Sequence, residues 1–145
     1  MDSANELSAR DRNLTICTVS FHNAPHLIAN WELAERLNQG SGRLRWIVAE
    51  NTPEGSKYKL TSSDPRFHLI DGAEGRHRDN YHHTIALQNA LHLVDTRFLL
   101  VLDPDFYIVR PRWLEDVLDH MVGSDLGMFG VPWHPKYIDK YRYFP

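Results

Sequence analysis

Cysteine is all but absent: Cys17 is the single one in 145 residues. One cysteine excludes an internal disulfide framework and a cysteine zinc site. Set in the run Thr15-Ile16-Cys17-Thr18-Val19, it reads as a small buried hydrophobe. A glycine-rich phosphate loop is also missing. The turn after the first apolar run is Ser20-Phe21-His22-Asn23-Ala24-Pro25, with neither Gly nor Lys. That disfavours a P-loop nucleotidase or a dinucleotide-binding dehydrogenase, and it counts against a nucleotidyltransferase too. No apolar stretch approaches the roughly 20 residues that cross a bilayer. Residues 1–12 are polar and lack the apolar core of a secretory signal, so they read as a flexible leader. Positive charge is not in excess: the net charge is −3, which leaves no electrostatic case for a nucleic-acid partner. The expected location is cytoplasmic, with peripheral contact at the inner membrane face left open.

The composition that is present is that of an ordinary globular chain, 42% hydrophobic and 24% charged. The length fits one domain, expected over residues 13–145. Strand and helix patterns alternate, which predicts an α/β fold around a mostly parallel sheet. Strands are expected over 14–21, 44–49, 67–70, 98–102 and 126–131. A first helix is expected over 26–38, burying Leu27, Trp31, Ala34 and Leu37, with Gly40 as its C-cap. A second is expected over 80–94 with Asp79 as N-cap. A third follows Pro111 at its first position and buries Trp113, Leu114, Val117, Leu118 and Met121.

One stretch carries more chemistry than the rest. Phe98-Leu99-Leu100-Val101-Leu102 runs straight into Asp103-Pro104-Asp105. Such a run predicts a strand buried on both faces, and ligands bind at the C-terminal ends of strands in open α/β sheets. Two carboxylates on a rigid strand end suit a divalent cation, which in turn holds phosphates. The pair itself is weak evidence, since chance placement of the 12 aspartates yields about one such spacing. Its position at the end of the most apolar run is the signal. The alternative is an Asp-Pro turn that only closes a strand.

This order of elements resembles the nucleotide-sugar-binding half of a GT-A glycosyltransferase, most like family 2. Residues 14–23 (LTICTVSFHN) look like that family's first strand and its turn toward the nucleotide. Residues 46–52 (WIVAENT) are similar to its second strand, although Glu50 stands where the family commonly has Asp. Residues 81–91 (YHHTIALQNAL) resemble the helix before the metal strand, and 98–109 (FLLVLDPDFYIV) are the nearest match. The resemblance spans roughly residues 14–131. It implies a Rossmann-like three-layer sandwich, truncated at the C-terminus with the acceptor half not evident. It implies transfer of a sugar from a nucleotide-diphosphate donor, a UDP-sugar, to a glycan, lipid-linked or other hydroxyl acceptor, as in polysaccharide biosynthesis. The reaction would be inverting and assisted by Mn²⁺ or Mg²⁺.

The residues that fall on this pattern are then assigned. Asp105 is expected to touch the metal, and Asp103 to hold the ribose or reach the metal through water; His134 is a further candidate ligand. Glu50 is expected to read the nucleobase or ribose, with Ser20, Phe21 and Asn23 as the adjoining wall. Arg76 or Arg78 and His82 would face the phosphates, because cations and a helix N-terminus suit an anion; a solvated charge cluster is the plainer reading. His82 and His83 point about 100° apart on a helix and lack the i, i+4 spacing of paired metal ligands. Lys136, Lys140 and Arg142 among Tyr137, Tyr141, Tyr143 and Phe144 make a basic aromatic tail suited to an acceptor or a partner. No residue matches the family's catalytic base. A fragment, a truncated product or a binding domain without turnover therefore all stay open.

Overall fold

The computed structural model describes residues 12–39, 42–61, 63–72, 79–124, 127 and 130. Four strands, β1 (Leu14–Ser20), β2 (Leu44–Glu50), β3 (His68–Asp71) and β4 (Phe98–Val101), alternate with α1 (Ala24–Leu37), α2 (Asp79–Leu91) and α3 (Trp113–Gly123). The sheet order is β3-β2-β1-β4 and every pairing is parallel. The fold is α/β around an all-parallel sheet, as the alternating pattern predicts, and is compatible with a Rossmann-like fold.

Side chains alternate across β1 and feed two cores. Leu14 and Ile16 join Trp46 and Val48 beneath Leu27 and Ala34 of α1 and Trp113, Leu114 and Leu118 of α3. Cys17 and Val19 join Ile47 and Ala49 beneath Ala86 and Ala90 of α2. Small residues on α2 let its backbone sit close to the sheet, while α1 and α3 fill the opposite face with large ones. Burial pushes the Cys17 thiol up to about 11, against a smaller opposing pull from Arg45. The thiol is a packing group.

Several boundaries differ from the sequence pattern, each for a local reason. Helix α1 starts at Ala24, with Pro25 in its first turn, because proline's fixed φ suits that position. Its C-terminal end is closed by Asn38. That side chain donates Nδ2–H to the Ala34 carbonyl at 2.7 Å and accepts the Leu114 amide at 3.3 Å. One buried asparagine so finishes α1 and caps α3. Pro111 lies outside α3, whose N-cap is Arg112 in the left-handed region at φ 57°. The Arg112 amide donates to the Leu37 carbonyl at 3.0 Å. Helix α2 ends at Leu91 instead of 94, where tighter bonds to the Ala90 and Leu91 carbonyls take over.

The expectation that 98–102 is buried on both faces is corrected. Phe98 and Leu102 are buried, but Leu99 is 43% and Val101 51% exposed. Among the described residues β4 pairs with β1 alone, and α2 packs chiefly over β1 and β2. The leader residues 1–11, the Gly40 cap, Arg76, Arg78, the 126–131 strand, His134 and the aromatic tail lie outside the described residues.

Candidate functional site

Chain order reverses direction at β1. The chain moves from β1 to β2 to β3 on one side, then crosses to β4 on the other. Loops leaving the C-terminal ends of β1 and β4 therefore diverge and leave a crevice, the position at which such sheets bind ligands. Ser20, Phe21 and His22 leave β1 there, and Asp103, Pro104 and Asp105 leave β4.

The β4 end is a tight turn. The Leu102 amide continues the ladder to the Cys17 carbonyl at 3.0 Å, and the Phe106 amide then closes on the Asp103 carbonyl at 3.0 Å. Asp103 and Pro104 stand at positions i and i+1 of a β-turn, where both residue types are favoured. Pro104 is buried while Asp103 and Asp105 are exposed. The proline anchors the turn inward and both carboxylates meet solvent. Neither carboxylate has a hydrogen-bond or ion-pair partner among the described residues.

Helix α1 holds this turn from behind. Asn30, 0% exposed, donates Nδ2–H to the Phe106 carbonyl at 2.7 Å and to the Pro104 carbonyl at 3.4 Å. One helical turn earlier, His26 Nδ1 and the Tyr107 hydroxyl share a hydrogen bond of 2.5 Å. The Oδ1 of Asn30 is buried without a partner, a cost of about 1–3 kcal/mol by general experience.

The β2 end is built differently. The Glu50 carboxylate accepts the Thr52 amide at 2.8 Å through one oxygen and the Leu60 amide at 3.1 Å through the other. It thereby folds the 51–60 loop back onto the strand. Thr52 Oγ1 in turn accepts the His22 amide at 2.8 Å, and the Asn51 amide donates to the Ser20 carbonyl at 2.8 Å. His22 takes φ 58° to do so. The Gly72 amide reaches the Glu50 carbonyl at 3.1 Å, and a Cβ at Gly72 would fall 1.6 Å from Asn51 Oδ1. Glycine lets β3 end this close to the loop without displacing the Asn51 side chain.

Beside that loop lies an open cavity of ≈ 460 Å³, lined among others by Glu50, Glu54, Ser56, Lys59, Leu60 and Asp71. Lys59 pairs with Glu54. That hydrogen bond, with the charges of Glu54, Glu50 and Asp71, holds the Lys59 ammonium above its ordinary range.

The fold brings Ser20, Phe21, Glu50, Asp103 and Asp105 to one edge of the sheet. Phe21 is 56% exposed and edge-on to the His22 ring, so it is not a core residue. The Ser20 hydroxyl is buried without a partner, and it is the Ser20 carbonyl that ties the loop. Asn23 is the N-cap of α1, but its side chain makes no capping bond. His82 is half-buried on α2. Sequence reasoning missed Asn30, His22 and Thr52. Asn30 left a trace, a polar residue on the apolar stripe of Leu27 and Ala34, whereas His22 and Thr52 act through backbone that no pattern reveals.

No protein-family model matches this chain, and no curated protein or solved structure matches it. No helix among the described residues is long and apolar enough to cross a membrane. Among the same residues no three His, Cys, Asp or Glu side chains gather into a ready metal cage.

Proposed function

We propose that this chain is the donor-binding portion of a GT-A type glycosyltransferase, acting on a nucleoside-diphosphate sugar such as a UDP-sugar. One observation carries the reading. Two carboxylates with no hydrogen-bond or ion-pair partner among the described residues stand on a fixed turn at the C-terminal edge of β4, beside the point where the strand order reverses direction.

The donor set suits a hard divalent cation such as Mn²⁺ or Mg²⁺. Mg²⁺ commonly takes one or two protein carboxylates and completes its shell with phosphate oxygens and water, so a pair of aspartates without a third side chain is a fitting partner. Asp105 would hold the cation, and Asp103 the ribose or a metal-bound water. When bound, the cation supplies Lewis-acid stabilisation of the diphosphate leaving group. Phe21, exposed at the end of β1, offers a ring face to the nucleobase. Each Glu50 oxygen keeps a second lone pair, so Glu50 shapes the base-side loop and still presents acceptors. The acceptor is a glycan, lipid-linked or other hydroxyl, and inversion at the anomeric carbon follows from in-line attack.

Calorimetric titration with UDP, with and without Mn²⁺, tests the reading. Metal-dependent binding that Asp105→Ala abolishes is the expected result. Equal binding with and without metal, or an unchanged Asp105→Ala chain, would sink it.

A further inference from the structure

We infer that Asn30 is the positioning residue of the Asp103–Asp105 turn, holding both carboxylates where a nucleoside diphosphate and its cation meet them. The inference rests on the reading of that turn as the donor site.

Four side chains of α1 are buried: Ala24, Leu27, Asn30 and Ala34. Asn30 is the polar one. Both protons of its amide are spent on backbone carbonyls on either side of Asp105, those of Pro104 and Phe106. Its carbonyl oxygen goes without a partner. A leucine has the same branched shape and carries no polar atom to leave unpaired. What asparagine provides and leucine does not is the pair of donors.

Pinning two carbonyls around one residue fixes the backbone between them. The direction in which the Asp105 side chain leaves the turn is then set before any ligand arrives. A preorganised site spares the ligand the cost of ordering the loop. A second tie from the same helix, His26 to Tyr107, continues the hold past the turn. The start of α1 is also bound to the other rim, through the Ala24 amide and the Tyr58 carbonyl at 3.3 Å. Helix α1 thus sets the β4 turn and the β2 loop against each other, and Asn30 is its contact nearest the aspartates.

The test is Asn30→Leu, measured two ways: calorimetry with UDP in the presence and absence of Mn²⁺, and hydrogen exchange at the Phe106 amide. The expected result is a fall of about tenfold or more in the metal-dependent gain in affinity, the range typical of lost outer-shell support. UDP affinity without metal should fall by much less than affinity with metal, and the Phe106 amide should exchange faster. A merely structural role would weaken both affinities together and leave their ratio unmoved. An unchanged ratio with an unchanged Phe106 amide overturns the inference. A wild-type chain without any metal-dependent gain overturns the functional reading instead, and the Phe106 amide, still faster in Asn30→Leu, tells the two failures apart. If Asn30→Leu does not fold, Asn30→Ser, too short to reach both carbonyls, carries the same test.

Discussion

The C-terminal ends of β2 and β4 use carboxylates in opposite ways. At the β2 end Glu50 spends both oxygens on backbone amides and folds a loop. At the β4 end Asp103 and Asp105 are exposed, and the turn beneath them is held by the neutral side chain of Asn30 and by a buried proline. A carboxylate that holds the fold is committed. One that the fold holds out is left for something else. Position on the strand end is shared by all three acids, and it is the partners that separate them.

The largest expected effect strikes the uncommitted pair. Asp105→Ala should abolish the Mn²⁺-dependent gain in UDP affinity, a loss beyond the roughly hundredfold that even supporting groups of a metal site contribute. Its thermal unfolding should stay within about 0.5 kcal/mol of wild type, as for exposed substitutions in general. A large loss of stability would erase the distinction between the two ends.

High pH tests β1, the strand from which both ends hang. The Cys17 thiol is raised to about 11 in the folded chain from an ordinary 9.0. The folded state therefore keeps its proton while the unfolded state loses one, so stability is intact below about pH 9 and falls as pH rises toward 11. Two pH units at one proton amount to about 2–3 kcal/mol. Denaturant melts between pH 8 and 11 measure this, and a Cys17→Ala chain should lack the slope.

Glu50→Gln comes next. The new amide turns donors toward the Thr52 or Leu60 N–H, and a buried amide without an acceptor costs about 1–3 kcal/mol. Denaturant melts should show the loss, and Cys17 should react faster with a thiol reagent than it does in the Asp105→Ala chain. Equal reactivity in the two variants would mean that Glu50 is as free as Asp105.

The smallest effect is at Gly72. Gly72→Ala forces Asn51 to move and crowds the Glu50 carbonyl at 2.9 Å, and a cost of about 1 kcal/mol is expected for such overpacking. Because the closest atom belongs to a side chain, Asn51→Ala should recover part of the loss. A double-mutant cycle on unfolding free energy reads that coupling; strict additivity would place the strain in the backbone alone.

Much of this molecule was legible in its sequence. A run rich in Thr, Ile and Val marked β1, and the Leu27, Trp31, Ala34 spacing marked α1, because a buried helix face imposes its period on the chain. The Asp-Pro-Asp turn was legible because proline and aspartate have strong preferences of their own at turn positions. The exposure of Leu99 and Val101 was not, since an apolar run reads the same whether or not a helix covers it. Nor was the difference between Glu50 and Asp105: each is an acid at the end of a strand, and their partners lie two, ten or dozens of residues away in sequence.

The sequence by itself determined the α/β class, the strands that end in acids and the turn that presents two of them. These are local matters of side-chain period and backbone preference. The tertiary structure alone decided that β4 lies beside β1, that Glu50 closes a loop while Asp103 and Asp105 are exposed and take no partner among the described residues, and that Asn30 reaches 74 and 76 residues along the chain to hold the turn between them. Strand order and hydrogen-bond partners are long-range facts, set by which packing satisfies the most buried groups at once, and no stretch of chain encodes them alone.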